Sequence, residues 1–167
     1  MLSYADLRSA CAAGGASVLT SVTELQPAAG PHASIAPAKF VERGNSVFAF
    51  ETRYVDGEAV TVALVDSKQS SLNRCESAIA QDIRDGHPVM AKLPRLVVDY
   101  GHGLEFMVME LPHRAFDGHF RAGTISGEPT TSDERYRAIR NSTTRDASAL
   151  LNASPTALVL GAWDSTR

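Results

Sequence analysis

Residues 46–84 read SVFAFETRYVDGEAVTVALVDSKQSSLNRCESAIAQDIR, and the fold class turns on this stretch. Its first half holds two β-rich runs on either side of Asp56-Gly57, a dipeptide suited to a two-residue type I′ turn because both central residues must take positive φ. A hairpin centred there puts Phe48, Phe50 and Tyr54 on one face with Ala59, Ala63 and Val65. Glu51 and Arg53 then share the other face with Val60, Val62 and Leu64. The first face is expected to pack on helices with its aromatic rings in the core, and the mixed face to stay open to something polar. At Asp66 the period changes. Leu72, Cys75, Ile79 and Ile83 recur at helical spacing, Asp66 or Ser67 can cap the start, and Gly86 stands where a C′ glycine belongs, so a helix is expected over 68–85.

Working outward, residues 3–13 predict a short helix carrying Tyr4, Leu7 and Cys11 and ended by Gly14-Gly15, and Val18 to Leu25 predicts a strand. From Gln26 to Asn45 the chain is rich in Pro, Ala and Gly without a period, which reads as a long loop. Downstream, LPRLVVDY (93–100) and LEFMVMEL (104–111) flank Gly101-His102-Gly103 as a second strand pair. Pro112 suits the first turn of a short helix with Ala115, Phe116 and Phe120. After the turn-rich AGTISGEPTT, Ser132 opens a helix with Tyr136, Ile139, Thr143, Ala147 and Leu150 on one side; Ser154-Pro155 ends it, and Thr156 to Trp163 reads as a strand. The pattern is α+β: a largely antiparallel sheet with helices on one face, in a single domain over 1–167.

Composition narrows the function classes. A 44% hydrophobic, 21% charged chain can bury a core, and no run approaches the roughly 18 apolar residues of a membrane helix. Asp6 and Arg8 interrupt the place where a signal peptide would be apolar, so a cytoplasmic location is expected. The net charge of -3 argues against a uniformly basic nucleic-acid binder but leaves room for a local basic track, since only cations touching phosphates count. Lys39, Lys68 and Lys92 apart, the basic residues are arginines, the side chain suited to bidentate phosphate contacts. Cys11 and Cys75 have no zinc or disulfide spacing and are expected to be buried thiols.

Both VALVDS (62–67) and LVLGAWDS (158–165) end an apolar run in Asp-Ser. Where such a strand feeds a helix, backbone N-H groups, hydroxyls and the positive end of the helix dipole converge, and an anion is favoured there. Ser67, Lys68, Gln69, Ser70, Asn73 and Arg74 are therefore candidates for a phosphate or ribose cradle. Leu111-Pro112-His113-Arg114 offers a second junction with two cation-capable side chains. Enzyme motifs are lacking: the chain has no GxSxG, P-loop or GxGxxG, and His102, His113 and His119 have no zinc spacing. Asp66, Asp99, Asp117 and Asp164 suit Mg²⁺ in type, but no nucleophile is activated, and Asp66 and Asp164 are expected to brace the strand ends. No catalysis, metal or cofactor is expected.

Five blocks in order, TELQPAAGP (23–31), DGEAVTVALVDSKQSSLNRCESAI (56–79), LPRLVVDYG (93–101), LPHRAFDGHFR (111–121) and NASPTALVLGAWDST (152–166), resemble the backbone subunit of type I-G (formerly I-U) CRISPR effector complexes, in Cas family seven of the RAMP superfamily. The resemblance implies a modified RNA-recognition-motif (ferredoxin-like) core with long loop insertions. It implies copies stacked along a CRISPR RNA with other effector subunits, each holding guide backbone while base pairing reads target DNA. On this resemblance the RNA-binding residues are Ser67, Gln69, Ser70, Asn73 and Arg74, with Lys68 less regular, then His113 and Arg114, then Ser165 and Thr166; Trp163 is expected to pack. Members of that family continue past WDST, so the chain resembles an N-terminal half with an incomplete fold. The alternatives are a metal-dependent ribonuclease using Asp66 and Asp164, and a remnant that binds only protein partners.

Overall fold

The computed structural model describes residues 2–16 and 18–166, and the chain divides into two compact units, Met1–Pro37 and Ala38–Arg167. In the first, α1 spans Tyr4–Ala10, started by a reciprocal capping box between Ser3 and Asp6. The strand expected at Val18 to Leu25 is absent: these residues form no helix or strand, and Leu19, Val22 and Leu25 are exposed. Apolar alternation without a pairing partner does not make a strand.

In the second unit β1 (Lys39–Glu42) pairs with β2 (Asn45–Phe48), and β3 (Phe50–Val55) with β4 (Glu58–Ala63). The Asp56-Gly57 turn forms as read, with φ of 50 and 86°, the double positive φ of a type I′ turn. Its register sets Phe50 opposite Ala63, Tyr54 opposite Ala59, Glu51 opposite Val62 and Arg53 opposite Val60, the predicted faces. β1 lies inside the expected loop and β2 falls on the start of the expected strand run; their turn, Arg43-Gly44, escaped notice because it puts a non-glycine residue at positive φ. Phe48, Phe50 and Tyr54 are not core: Phe50 is 63% and Tyr54 75% exposed.

Helix α2, Lys68–Arg84, is capped by Ser67, whose Oγ accepts from the Ser70 amide. It ends where His87 N donates to Asp82 O and Gly86 N to Ile83 O, with Gly86 at φ 73°. That is a Schellman end, and the positive φ is why glycine stands there. Its inward stripe is Glu76, Ala80 and Ile83, with Ile79 partly covered; Cys75 and Cys11 are exposed, contrary to expectation. At about 100° per residue, Cys75 falls roughly 60° to one side of the Leu72–Ile79–Ile83 line, whereas Glu76 lies nearer its centre.

Strands β5 (Val97–Asp99) and β6 (Glu105–Met107) pair as expected but are short, and Val108–Glu110 tightens into a 3₁₀ turn with Val108 fully buried. After Pro112 comes a 3₁₀ turn, Arg114–Phe116, then α3 (Gly118–Arg121) capped by Asp117. A small ladder, β7 (Thr124–Ile125) with β8 (Glu128–Pro129), leads to α4 (Glu134–Arg140), capped by Asp133. The helix expected to run on to Leu150 breaks, because Thr143 Oγ1 accepts the amides of Arg145 and Asp146 and turns the chain. α5 (Ser148–Ala153) and α6 (Pro155–Leu160) follow.

α6 replaces the strand expected at Thr156 to Trp163. Ser154 Oγ accepts the Ala157 amide and Pro155 takes the first helical position, so the dipeptide that ends α5 also starts α6.

The fold is α+β, with every ladder antiparallel. Among the described residues the strands form separate two-stranded ladders, not the single sheet expected, and the helices do not share one sheet face. The core instead joins Ala80 and Ile83 of α2 to Met107, Val108, Met109, Leu111, Phe120, Tyr136, Ile139, Leu150 and Ala157. No helix among the described residues is long and apolar enough to cross a membrane.

Candidate nucleic-acid interface

Ser67, Lys68, Gln69, Ser70, Asn73 and Arg74 share the first turns of α2, placed there by the Ser67 cap. Asp66 braces the junction: it accepts from the Ser67 amide at 3.0 Å and the Ser71 hydroxyl at 3.2 Å and pairs with Arg74 at 3.3 Å. The Ser70 side chain, then, against the cost of burial, the Ser71 hydroxyl, Arg74 and the Ser67 amide hold its carboxyl below the ordinary range. Arg74 is 77% exposed, so its guanidinium lies in water with only a surface pairing to give up. Lys68 is still more exposed and reaches Glu51 on β3 at 4.0 Å.

A groove of about 520 Å³ gathers Gln69, Asn73, Glu76 and Ser77 of α2 with Glu110, Leu111 and Arg114. Candidates from two distant blocks thus meet. Arg114, however, is occupied. Its Nε and Nη2 donate to Glu76 Oε1 and Oε2 at 2.5 and 2.9 Å, with the two side chains only 11% and 4% exposed. A bidentate pair this covered fixes the groove wall. Sequence reading missed Glu76, since a carboxylate on the apolar stripe of a helix signals a partner only once Arg114 is brought to it. A second outside pair, Arg84 with both oxygens of Glu110, which also accepts the Met107 amide, ties the far end of α2 to the preceding turn, Val108–Glu110.

His113 meets Trp163, its ring edge-on at 5.2 Å and 71°. Trp163 is exposed apart from such contact, not the buried packing residue expected. Beyond it, Asp164 receives Arg140 Nε and Nη2 at 3.0 and 2.7 Å and the Thr166 hydroxyl at 2.6 Å. Burial opposes its ionisation, yet the Thr166 hydroxyl, Arg140 and the Thr166 amide hold the carboxyl far below the usual range. Ser165 Oγ accepts from Arg121 at 3.4 Å and Thr166 Oγ1 from Arg140 at 2.9 Å. Ser165 and Thr166 therefore join an arginine pair, while the groove holds Gln69, Asn73 and Arg114.

Asp117, nearly buried, accepts the His113 and His119 amides and meets His119 Nδ1 at 2.6 Å. His119 borders a larger cavity of about 740 Å³ with Tyr100, Asp99, Thr130, Arg135 and Tyr136. Among the described residues no three His, Cys, Asp or Glu side chains are gathered as a metal site requires.

The class so defined is an α+β protein whose β4-to-α2 junction carries the exposed cations Lys68 and Arg74. Residues 19–167 match the family described as CRISPR-associated protein GSU0053, and the chain belongs to that family. Neither a curated protein nor a solved structure matches it.

Proposed function

We propose that the chain is a non-catalytic backbone subunit of a type I-G CRISPR effector complex, of the RAMP superfamily, that holds the CRISPR RNA by its sugar-phosphate backbone in the cytoplasm. Its partners are that RNA, further copies of itself, other effector subunits and, through the guide, target DNA. Membership of a CRISPR-associated family supports a role in such a system. The observation that carries the reading further is the groove where Gln69 and Asn73 meet the Arg114 block beside an exposed Arg74. Amide groups suit ribose hydroxyls and phosphate oxygens, and a solvated guanidinium can exchange its weak surface partner for phosphate. Little of this reads bases.

Filter binding with single-stranded RNA carrying a CRISPR repeat tests the proposal. Salt-sensitive binding that is indifferent to guide sequence is expected, and absent or salt-insensitive binding contradicts it. A ribonuclease reading through Asp66 and Asp164 has less support, because Arg74 engages the first carboxylate and Arg140 the second. Incubation with Mg²⁺ and complementary RNA separates the two: cleavage would favour the enzyme, intact RNA the binder.

A further inference from the structure

Arg53, Arg74, Arg84, Arg114, Arg135 and Arg140 each lie within 4 Å of a carboxylate, and Arg121 is not among them. Arg121 has one long hydrogen bond, Nη2 to Ser165 Oγ at 3.4 Å, and its Nε is shut from solvent with no acceptor. Leaving a donor of a charged group buried and unmet is costly, so such a group marks a place where an acceptor belongs.

The surroundings suit an anion. Arg140 converges on the same loop and spends Nε and Nη2 on Asp164 Oδ2 and Thr166 Oγ1, leaving Nη1. The Tyr136 hydroxyl, which donates to Ala115 O, lies within the field of both guanidinium groups. The Thr166 proton is taken by Asp164, but Ser165 Oγ, accepting from Arg121, keeps its own proton to give. Asp164 and Asp117 offset the two guanidinium groups, so the case for an anion rests on the donors: Arg121 Nε, Arg140 Nη1 and the Ser165 proton.

We propose that Arg121, Arg140 and the Ser165 hydroxyl form an oxyanion seat that takes a single phosphate group, whether free or in a nucleic-acid backbone. The seat needs no helix dipole. Arg121 supplies Nε and a terminal N-H in the fork geometry that matches two phosphate oxygens, Ser165 caps a third, and Arg140, held by Asp164, adds Nη1. The nucleic-acid arm rests on the proposed function; the free-phosphate arm does not.

Thermal melting of the full chain in inorganic phosphate, against chloride at equal ionic strength, tests the seat directly. Phosphate is expected to raise the melting temperature of the wild type, and Arg121→Gln and Ser165→Ala to abolish most of that shift. Without phosphate, Arg121→Gln should melt no lower than wild type, since it removes an unmet donor. Equal shifts in phosphate and chloride, or a shift retained by both variants, overturn the seat. A second arm measures single-stranded RNA: Arg121→Gln is expected to weaken it about tenfold. Phosphate binding without RNA binding would keep the seat and discard the nucleic-acid source, and RNA binding untouched by Arg121→Gln with no phosphate shift would discard the seat alone.

Discussion

Arg114 and Glu76, 38 positions apart, meet through two hydrogen bonds with both side chains covered, and so pin α2 to the turn after Pro112. Removing one partner strands a buried charge. Glu76→Ala or Arg114→Ala is expected to cost about 3–5 kcal/mol, whereas Glu76→Leu with Arg114→Met should cost far less or stabilise. Urea denaturation of the three variants checks this; equal losses in singles and double would contradict the pair as the cause.

The pair also separates Arg114 from Arg74. Because Arg74 touches only an exposed part of Asp66, Arg74→Ala should change stability by no more than about 0.5 kcal/mol while weakening RNA. Denaturant midpoints and RNA titrations on the same preparation would expose the opposite ranking.

Asp164 contributes to the acid limb of stability, together with Asp66, Asp117 and Asp133, whose carboxyls are also held below the ordinary range. The folded-state pKa of Asp164 lies below the unfolded value, so the stability it contributes is present in full above the ordinary carboxylate range near ~4 and is lost as pH falls toward the folded value. Melting temperature should hardly change from pH 7 to 5 on this account and drop below pH 4, and Asp164→Asn should lessen that acid drop while lowering stability at neutral pH. A steeper acid loss in the variant would contradict it.

Cys11 and Cys75 are both exposed, so a thiol reagent should modify both in the native protein without denaturant. Mass spectrometry showing neither adduct until the chain is unfolded would place these residues in a covered environment.

Local grammar carried much of the fold into the sequence. Asp56-Gly57 demanded its turn, and Ser67 with Gly86 bracketed α2 to within a residue. What escaped was tertiary. Ser154-Pro155 serves as stop and start at once, and apolar content alone made 156–163 look like a strand. Phe50 and Tyr54 lie on the predicted face, but pairing register does not say whether anything covers that face. The site divides in the same way. Ser67, Gln69, Asn73 and Arg74 were legible because one helix start holds them together. Glu76 and Arg121 were not, since a lone carboxylate on a helix stripe or a lone arginine after a phenylalanine gains meaning only from residues far along the chain.

The most direct test of a grip on nucleotide backbone is the salt dependence of RNA affinity, measured with two guides of unrelated sequence, for wild type and Arg74→Ala. Matching affinities for the two guides are expected, with a log–log salt slope reduced by roughly 0.7 to 1 in the variant for both. A slope unchanged by the substitution, or a loss confined to one guide, would contradict it.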